Sequence, residues 1–359
     1  MLLGDYWGGD HPGSLITLIR LARPLIYLNH EVSAFSISNN VDAPHELDLK
    51  GKFIGRKKLI ALWLQYWRLS RTYDISYNFS CSRLQLPYLT TLRSTLPKLI
   101  LDLNVDTIDY VHNPLVKGII RKILKISENI TTPSQYYKWY LIKNWRVPPE
   151  KIKHIYYSVS NDLLTKEADS FRSKILTNFG LDPLLNTVIH AGQVTKFQIE
   201  VYLRLMKMFN LNLLMIGPDL NRQEVIHYVR LLESKYPRRF KAIKKYLPYD
   251  IVCKILKASD LFIVYYDRHM IGHPQKLYDY MAAGKPIIAN KCLGINDIIN
   301  DENAVLIDNE GDVLKKYIDA ASEVIQDETK AKIMGCKARD FAFKNFRTDI
   351  VAEKLKEIF

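Results

Sequence analysis

Short apolar stretches alternate along this chain with longer segments whose apolar positions recur at helical spacing. The short stretches read as strands of a parallel sheet, which is covered on both faces and does not need polar residues at every second position. Residues 1–6, 25–29, 74–80, 98–102 and 129–132 form this series in the first half. Residues 186–191, 211–216, 261–265, 286–289 and 304–307 continue it in the second. Between them lie predicted helices. One is capped by Ser14 and carries Leu15, Leu18, Ile19 and Ala22; others cover 52–73, the neighbourhood of 84–94, and 117–130. In the second half, helices follow Lys196, carry Val225, Ile226, Val229 and Leu232, span 250–259, and fill the C-terminus. The fold class expected is α/β with doubly wound parallel sheets. A chain of 359 residues exceeds the size at which single cores stop growing, so two domains are expected.

The segment 272–289 combines loop, helix, turn and strand with unusual chemistry. Pro274 suits a helix start, Leu277, Met281 and Ala282 share one stripe, and Gly284 suits the left-handed stop before the apolar Pro286, Ile287, Ile288 and Ala289. Lys276 falls in the first turn, where a cation opposes the helix dipole. Its position makes sense beside a bound anion, because first-turn amides hold phosphates. Asp279 lies one turn on, placed to accept hydrogen bonds from a ribose diol.

Pro274, Lys276, Leu277, Tyr278, Asp279, Tyr280, Met281, Ala282, Gly284, Lys285, Pro286, Ile287, Ile288 and Ala289 together resemble the nucleotide-sugar signature of glycosyltransferase family 4 (group 1), with Asp279 where the family has Glu. The resemblance implies a GT-B architecture of two Rossmann-like domains facing a cleft. Residues 1–157 would bind acceptor, 158–337 would bind donor, and a helix within 338–359 would return to the first domain. It also implies transfer of a sugar from a nucleotide-diphosphate sugar, with retention, to a glycan, a lipid-linked or a protein acceptor.

The family's Gly-Arg-x-x-x-Lys run corresponds to Gly192, Gln193 and Lys196, so the arginine is missing. The first carboxylate of its Glu-x7-Glu pair falls on Ile271. Donor-binding candidates are Gly192, Lys196, His273, Pro274, Lys276, Leu277 and Asp279, with Asp267, Arg268 and His269 in the preceding loop. Lys196, Lys276 and Asp106 are the catalytic candidates, and Gly9 and His11 lie on the acceptor side with His30, Glu31, Asp102 and His112 as further candidates. The sequence has no Asp-x-Asp pair, so the leaving group is expected to be stabilised by fixed cations and helix amides, with no metal and no cofactor.

The formal net charge of +13 favours anionic partners: phosphorylated substrates, an anionic membrane surface, or nucleic acid. The basic, aromatic run 52–73 reads either as an interfacial helix or as a helix packed on the sheet. Residues 235–246 interleave cations with aromatics, which keeps a nucleic-acid binder as an alternative, though none is expected as a partner. A degenerate chain that binds sugar nucleotides without turnover is a second alternative, on the strength of Gln193 and Ile271. Cys81, Cys253, Cys292 and Cys336 are too scattered for a disulfide framework or zinc site. With no signal peptide or spanning segment visible, a cytoplasmic protein is expected, peripheral at the membrane if it contacts one at all.

Overall fold

The computed structural model describes residues 2–4, 12–35, 73–79, 98–104, 113–165, 169–266 and 268–359. The elements run β1 (Leu2–Gly4), α1 (Pro12–Tyr27), β2 (Ser33–Phe35), β3 (Ile75–Phe79), β4 (Lys98–Asp102), α2 (Pro114–Ile126), β5 (Asn129–Thr132), α3 (Gln135–Trp145) and β6 (Ile152–His154). Next come α4 (Asn161–Leu164), α5 (Asp169–Asn178), β7 (Thr187–Ala191), α6 (Lys196–Met208), β8 (Asn212–Ile216), α7 (Gln223–Lys235), β9 (Phe240–Ile243), α8 (Tyr249–Lys257) and β10 (Phe262–Val264). The chain ends with α9 (Gln275–Ala283), β11 (Ile287–Asn290), β12 (Val305–Ile307), α10 (Val313–Gln326), α11 (Glu328–Asn345) and α12 (Thr348–Lys356). Two compact units result: Met1–Ser158 with Ile271–His273 and Thr348–Phe359, and Val159–Met270 with Pro274–Arg347. The helices expected over 52–73 and near 84–94 lie outside the described residues.

In the first unit all the described strands pair in parallel, in the order β2-β1-β3-β4-β5-β6. Leu99, Leu101, Ile120, Ile123, Ile130 and Leu141 form the core between the sheet and helices α2 and α3. The Ser134 hydroxyl caps α3 by accepting from the Tyr137 amide. Lys151 donates to the carbonyls of Lys125 and Ser127, satisfying the C-terminal end of α2.

Residues 25–29 are not the expected strand, and Ser14 does not cap α1, which already begins at Pro12 and runs to Tyr27. The helix ends in a Schellman motif: Asn29 is left-handed at φ 61°, its amide donates to Ile26, and the His30 amide donates to Leu25. Leu21, Ala22 and Leu25 are all buried, which hides the helical period behind a continuous apolar run. Pro24 is tolerated because the Arg20 carbonyl, deprived of its usual donor, takes the Ser158 hydroxyl at 2.6 Å. Helix α12 packs on α1. The single helix expected over 338–358 is instead split at Phe346 and Arg347 into α11, in the second unit, and α12, in the first.

The second unit contains two parallel three-stranded ladders, β9-β8-β7 and β10-β11-β12, joined by the parallel bridge Val188–Leu261. Ser259 bridges the seam, accepting from the Ile189 amide and donating to the Leu261 carbonyl. Strand β9 was not foreseen; residues 235–246 read as a charged connection. Phe240 is buried in the core, while Lys241 points outward, so this edge strand carries little apolar signal. Helix α11 crosses the end of α9 so closely that a Cβ on Gly335 would lie 2.3 Å from the Gly284 carbonyl oxygen.

Candidate functional site

The turns that follow β7 and β8 meet backbone to backbone. Gly192 has φ +83°, the Gly192 amide donates to Ile216 at 2.8 Å, and a Cβ on Gly217 would lie 3.2 Å from the Gly192 carbonyl. These are the C-terminal ends of parallel strands, where open α/β sheets bind ligands. Helix α9 begins in the same unit with Pro274 as its N-cap, which offers no side-chain acceptor to the first-turn amides. It ends at Gly284 in the left-handed conformation, as its sequence requires.

Lys276 reaches from the first turn of α9 to the loop after β7. Its half-buried ammonium donates to the Gln193 carbonyl at 2.5 Å and sits 3.4 Å from His190 Nε2. Desolvation pushes its pKa down to about 7, against a partial upward pull from Asp219. His190, next to the C-terminal end of β7, is fully buried; Nε2 faces the Gln193 carbonyl at 2.9 Å and Nδ1 faces the Tyr202 hydroxyl at 2.8 Å. A ring nitrogen facing a carbonyl carries the proton, so Nδ1 accepts from Tyr202. Burial, then the nearby Lys276, hold His190 well below its ordinary pKa, and it stays neutral. The outcome is a cation that donates to a main-chain carbonyl and lies beside a neutral imidazole.

Asp279 is buried one turn along α9 and accepts from the Tyr249 hydroxyl at 2.7 Å. Leu277 is buried in the core side of the same helix. Lys196 is exposed at the first position of α6, where Thr195 and Gln198 form a capping box. The structure thus brings Gly192, Gln193 and Lys276 together. Sequence reasoning missed His190, Tyr249 and the Gln193 carbonyl; a histidine inside the buried strand Thr-Val-Ile-His-Ala was the available signal.

In the first unit, His273 is buried, and Asn104 clamps its main chain by accepting from its amide at 2.7 Å and donating to its carbonyl at 2.8 Å. The Ile271 carbonyl takes the Ser134 hydroxyl, and its side chain packs against the apolar core, so this position serves packing. Asp102 is 3% exposed at the end of β4 and accepts from Tyr157 at 2.6 Å and Thr131 at 2.7 Å. The Tyr77 hydroxyl in turn contacts Thr131 at 2.7 Å. Burial pushes the Asp102 pKa up to about 6 despite these two donors. His30 packs edge-on against Phe359, Glu31 is exposed, and the Arg268 guanidinium contacts His269 at the surface. Gly9, His11, Asp106, His112 and Asp267 lie outside the described residues.

Residues 188–327 match the family of glycosyl transferases group 1. That match runs from Val188 in β7 past the end of α10 and takes in the whole Gly192–Lys276 constellation. Over those residues the chain resembles the group 1 glycosyltransferases. The crystal structure of Anabaena Alr3699/HepE in complex with UDP-glucose is similar at TM-score 0.78 and 16% identity, covering 99% of this chain and 98% of that one. A glycosyltransferase from Rickettsia africae is similar at TM-score 0.73 and 19% identity, covering 99% and 97%. These likenesses show the GT-B fold for this chain. It is also 21% identical over 254 residues to the N-acetyl-alpha-D-glucosaminyl L-malate synthase of Bacillus anthracis, covering 69% of this chain and 63% of that protein. The match therefore spans less than two thirds of that relative's length.

The same geometry accounts for residues 235–246. Arg239 stacks on the Tyr236 ring and donates to the Phe209 carbonyl, and Lys244 pairs with Glu233. These cations hold β9 against the rest of the unit.

Proposed function

We propose that this chain transfers a sugar from a nucleotide-diphosphate sugar to a glycan, lipid-linked or protein acceptor, with retention of anomeric configuration and without a metal ion. The observation that carries the reading is Lys276, a half-buried cation at an N-terminus without side-chain capping, its pKa lowered to about 7. A diphosphate would exchange the Gln193 carbonyl for anionic oxygens and restore the charge to the lysine. The α9 amides and the turn at Gly192 would cradle the same group. In this reading Lys276 and Lys196 stabilise the leaving diphosphate, Asp279 takes the ribose, and Asp106 acts on the acceptor side. Uridine diphosphate is the first donor base to try, because the similar Anabaena protein was crystallised with UDP-glucose.

The test is a thermal-shift screen with UDP, GDP, ADP, TDP and CMP, repeated on Lys276→Ala. One diphosphate should raise the melting temperature of the native chain, and the variant should lose the response. Equal responses from both proteins would displace the site. A second reading, binding without turnover, draws on Ile271, which packs in the core where the family has a carboxylate. Donor hydrolysis or transfer by the native chain excludes it. Activity that persists in chelator supports the metal-independent course; loss of activity restored by added divalent cation refutes it.

A further inference from the structure

Helix α2 buries Ile120, Ile123 and Leu124 and leaves a second apolar flank in solvent. Leu115 is 79% exposed, Val116 40% and Ile119 39%. Leu115 and Ile119 lie one turn apart and face the same way. Beside them run Arg121, Lys122 and Lys125, all exposed, and the half-buried Lys117; the helix contains no acidic residue. Both ends of α2 are secured, by the Asn113 side chain accepting from the Leu115 amide and by Lys151 on the C-terminal carbonyls. The exposed flank is therefore held rigidly on a well-packed helix. Among the described residues no helix is long and apolar enough to cross a membrane.

Three candidate occupants differ in charge and area. A second copy docked through this flank in a two-fold arrangement would bring like charges face to face. A protein partner ordinarily covers about 800 Å² per side, more than a few exposed apolar residues supply. An anionic bilayer accepts a small apolar wedge together with a basic rim, two weak signals that add. The overall charge of +13 has the same sign.

We propose that α2 docks this chain on an anionic lipid surface, with Leu115, Val116 and Ile119 among the acyl chains and Arg121, Lys122 and Lys125 on the headgroup phosphates. The docking surface is independent of the sugar-transfer reading.

The test is cosedimentation of the full chain with phosphatidylcholine vesicles, with and without phosphatidylglycerol. Binding to the anionic vesicles should exceed binding to neutral ones by about tenfold or more and should fall with added salt. Leu115→Glu/Ile119→Glu and Lys122→Glu/Lys125→Glu should each lower it by about tenfold or more while leaving the melting temperature and the nucleotide response unchanged. No sedimentation with anionic vesicles, or equal binding to both kinds, overturns the proposal. So does native binding by both variants, which would move the docking surface elsewhere. A dimer seen by light scattering and abolished by Leu115→Glu/Ile119→Glu would assign the flank to a second copy instead.

Discussion

Each unit buries a polar side chain in a central strand of a parallel sheet, and the two are finished differently. In the first, Asp102 ends β4 inside a closed network: Tyr157 and Thr131 donate to its two oxygens, and Tyr77 contacts Thr131. In the second, His190 in β7 leads outward through the Gln193 carbonyl to Lys276, a cation with no hydrogen-bonded anion among the described residues. Buried polarity alone does not mark a ligand site. An electrostatic arrangement left incomplete at the ligand face of a sheet does, because the missing charge is what a substrate would bring.

The largest effect should come from striking α9 from behind. Gly335→Ala would place a Cβ 2.3 Å from the Gly284 carbonyl, forcing α9 and α11 apart. A cost of about 3 kcal/mol is expected, well above the roughly 1 kcal/mol that alanine gains over glycine inside a helix. Chemical denaturation measures it, and a variant as stable as the native chain would show that the helices separate cheaply. Lys276→Ala should weaken UDP binding by about 100-fold, roughly 2.7 kcal/mol, by titration calorimetry, without lowering the melting temperature of the free protein. Removing this cation relieves a desolvation cost that outweighs its attraction to Asp219.

Asp102→Ala should do the opposite. Two buried hydroxyls would lose their acceptor, at about 2 kcal/mol of stability, while UDP affinity stays put. An Asp102→Ala chain that folds normally and no longer binds nucleotide would erase the distinction between the units.

Much of this contrast was legible in the residues, and the parts that were not have physical reasons. The helix from Gln275 to Ala283, its glycine stop and the strand after it follow from Pro274, the stripe through Leu277 and Met281, and Gly284. The Ser134 cap of α3 was equally visible. Residues 25–29 failed because the closely spaced buried residues Leu21, Ala22 and Leu25 obscure the helical period, and Leu28-Asn29 is a helix stop with the composition of a strand end. Strand β9 failed because it is an edge strand whose inward signal is little more than Phe240. At the site, side-chain types pointed to Lys276, whereas its partner is the carbonyl of Gln193, a main-chain atom that residue identity does not encode. The role of Ile271 in the core could be seen only once β4, α3 and the segment 271–273 were assembled.

The smallest effect discriminates most finely, because it asks whether Lys276 gains a proton when ligand binds. In the free protein its pKa is near 7, lowered by desolvation from 10.5. The folded state therefore holds fewer protons than the unfolded chain between about 7 and 10.5, and this group makes stability rise with pH through that window. A bound diphosphate favours the charged amine and raises its pKa. Affinity for a nucleotide sugar, whose diphosphate does not titrate near neutrality, should be flat below pH 7. Above it, affinity should fall, at most about tenfold per unit, until the pKa of the complex is reached. Calorimetry at pH 8 in buffers of different ionisation enthalpy should register net proton uptake on binding. Lys276→Met should abolish both the uptake and the slope, whereas Asp102→Asn should leave them intact, since the carboxyl near 6 titrates below this window. A flat affinity profile across pH 7 to 9 in the native chain would mean that the lysine is charged before the ligand arrives, and the incomplete arrangement in the second unit would then be no different in kind from the closed one in the first.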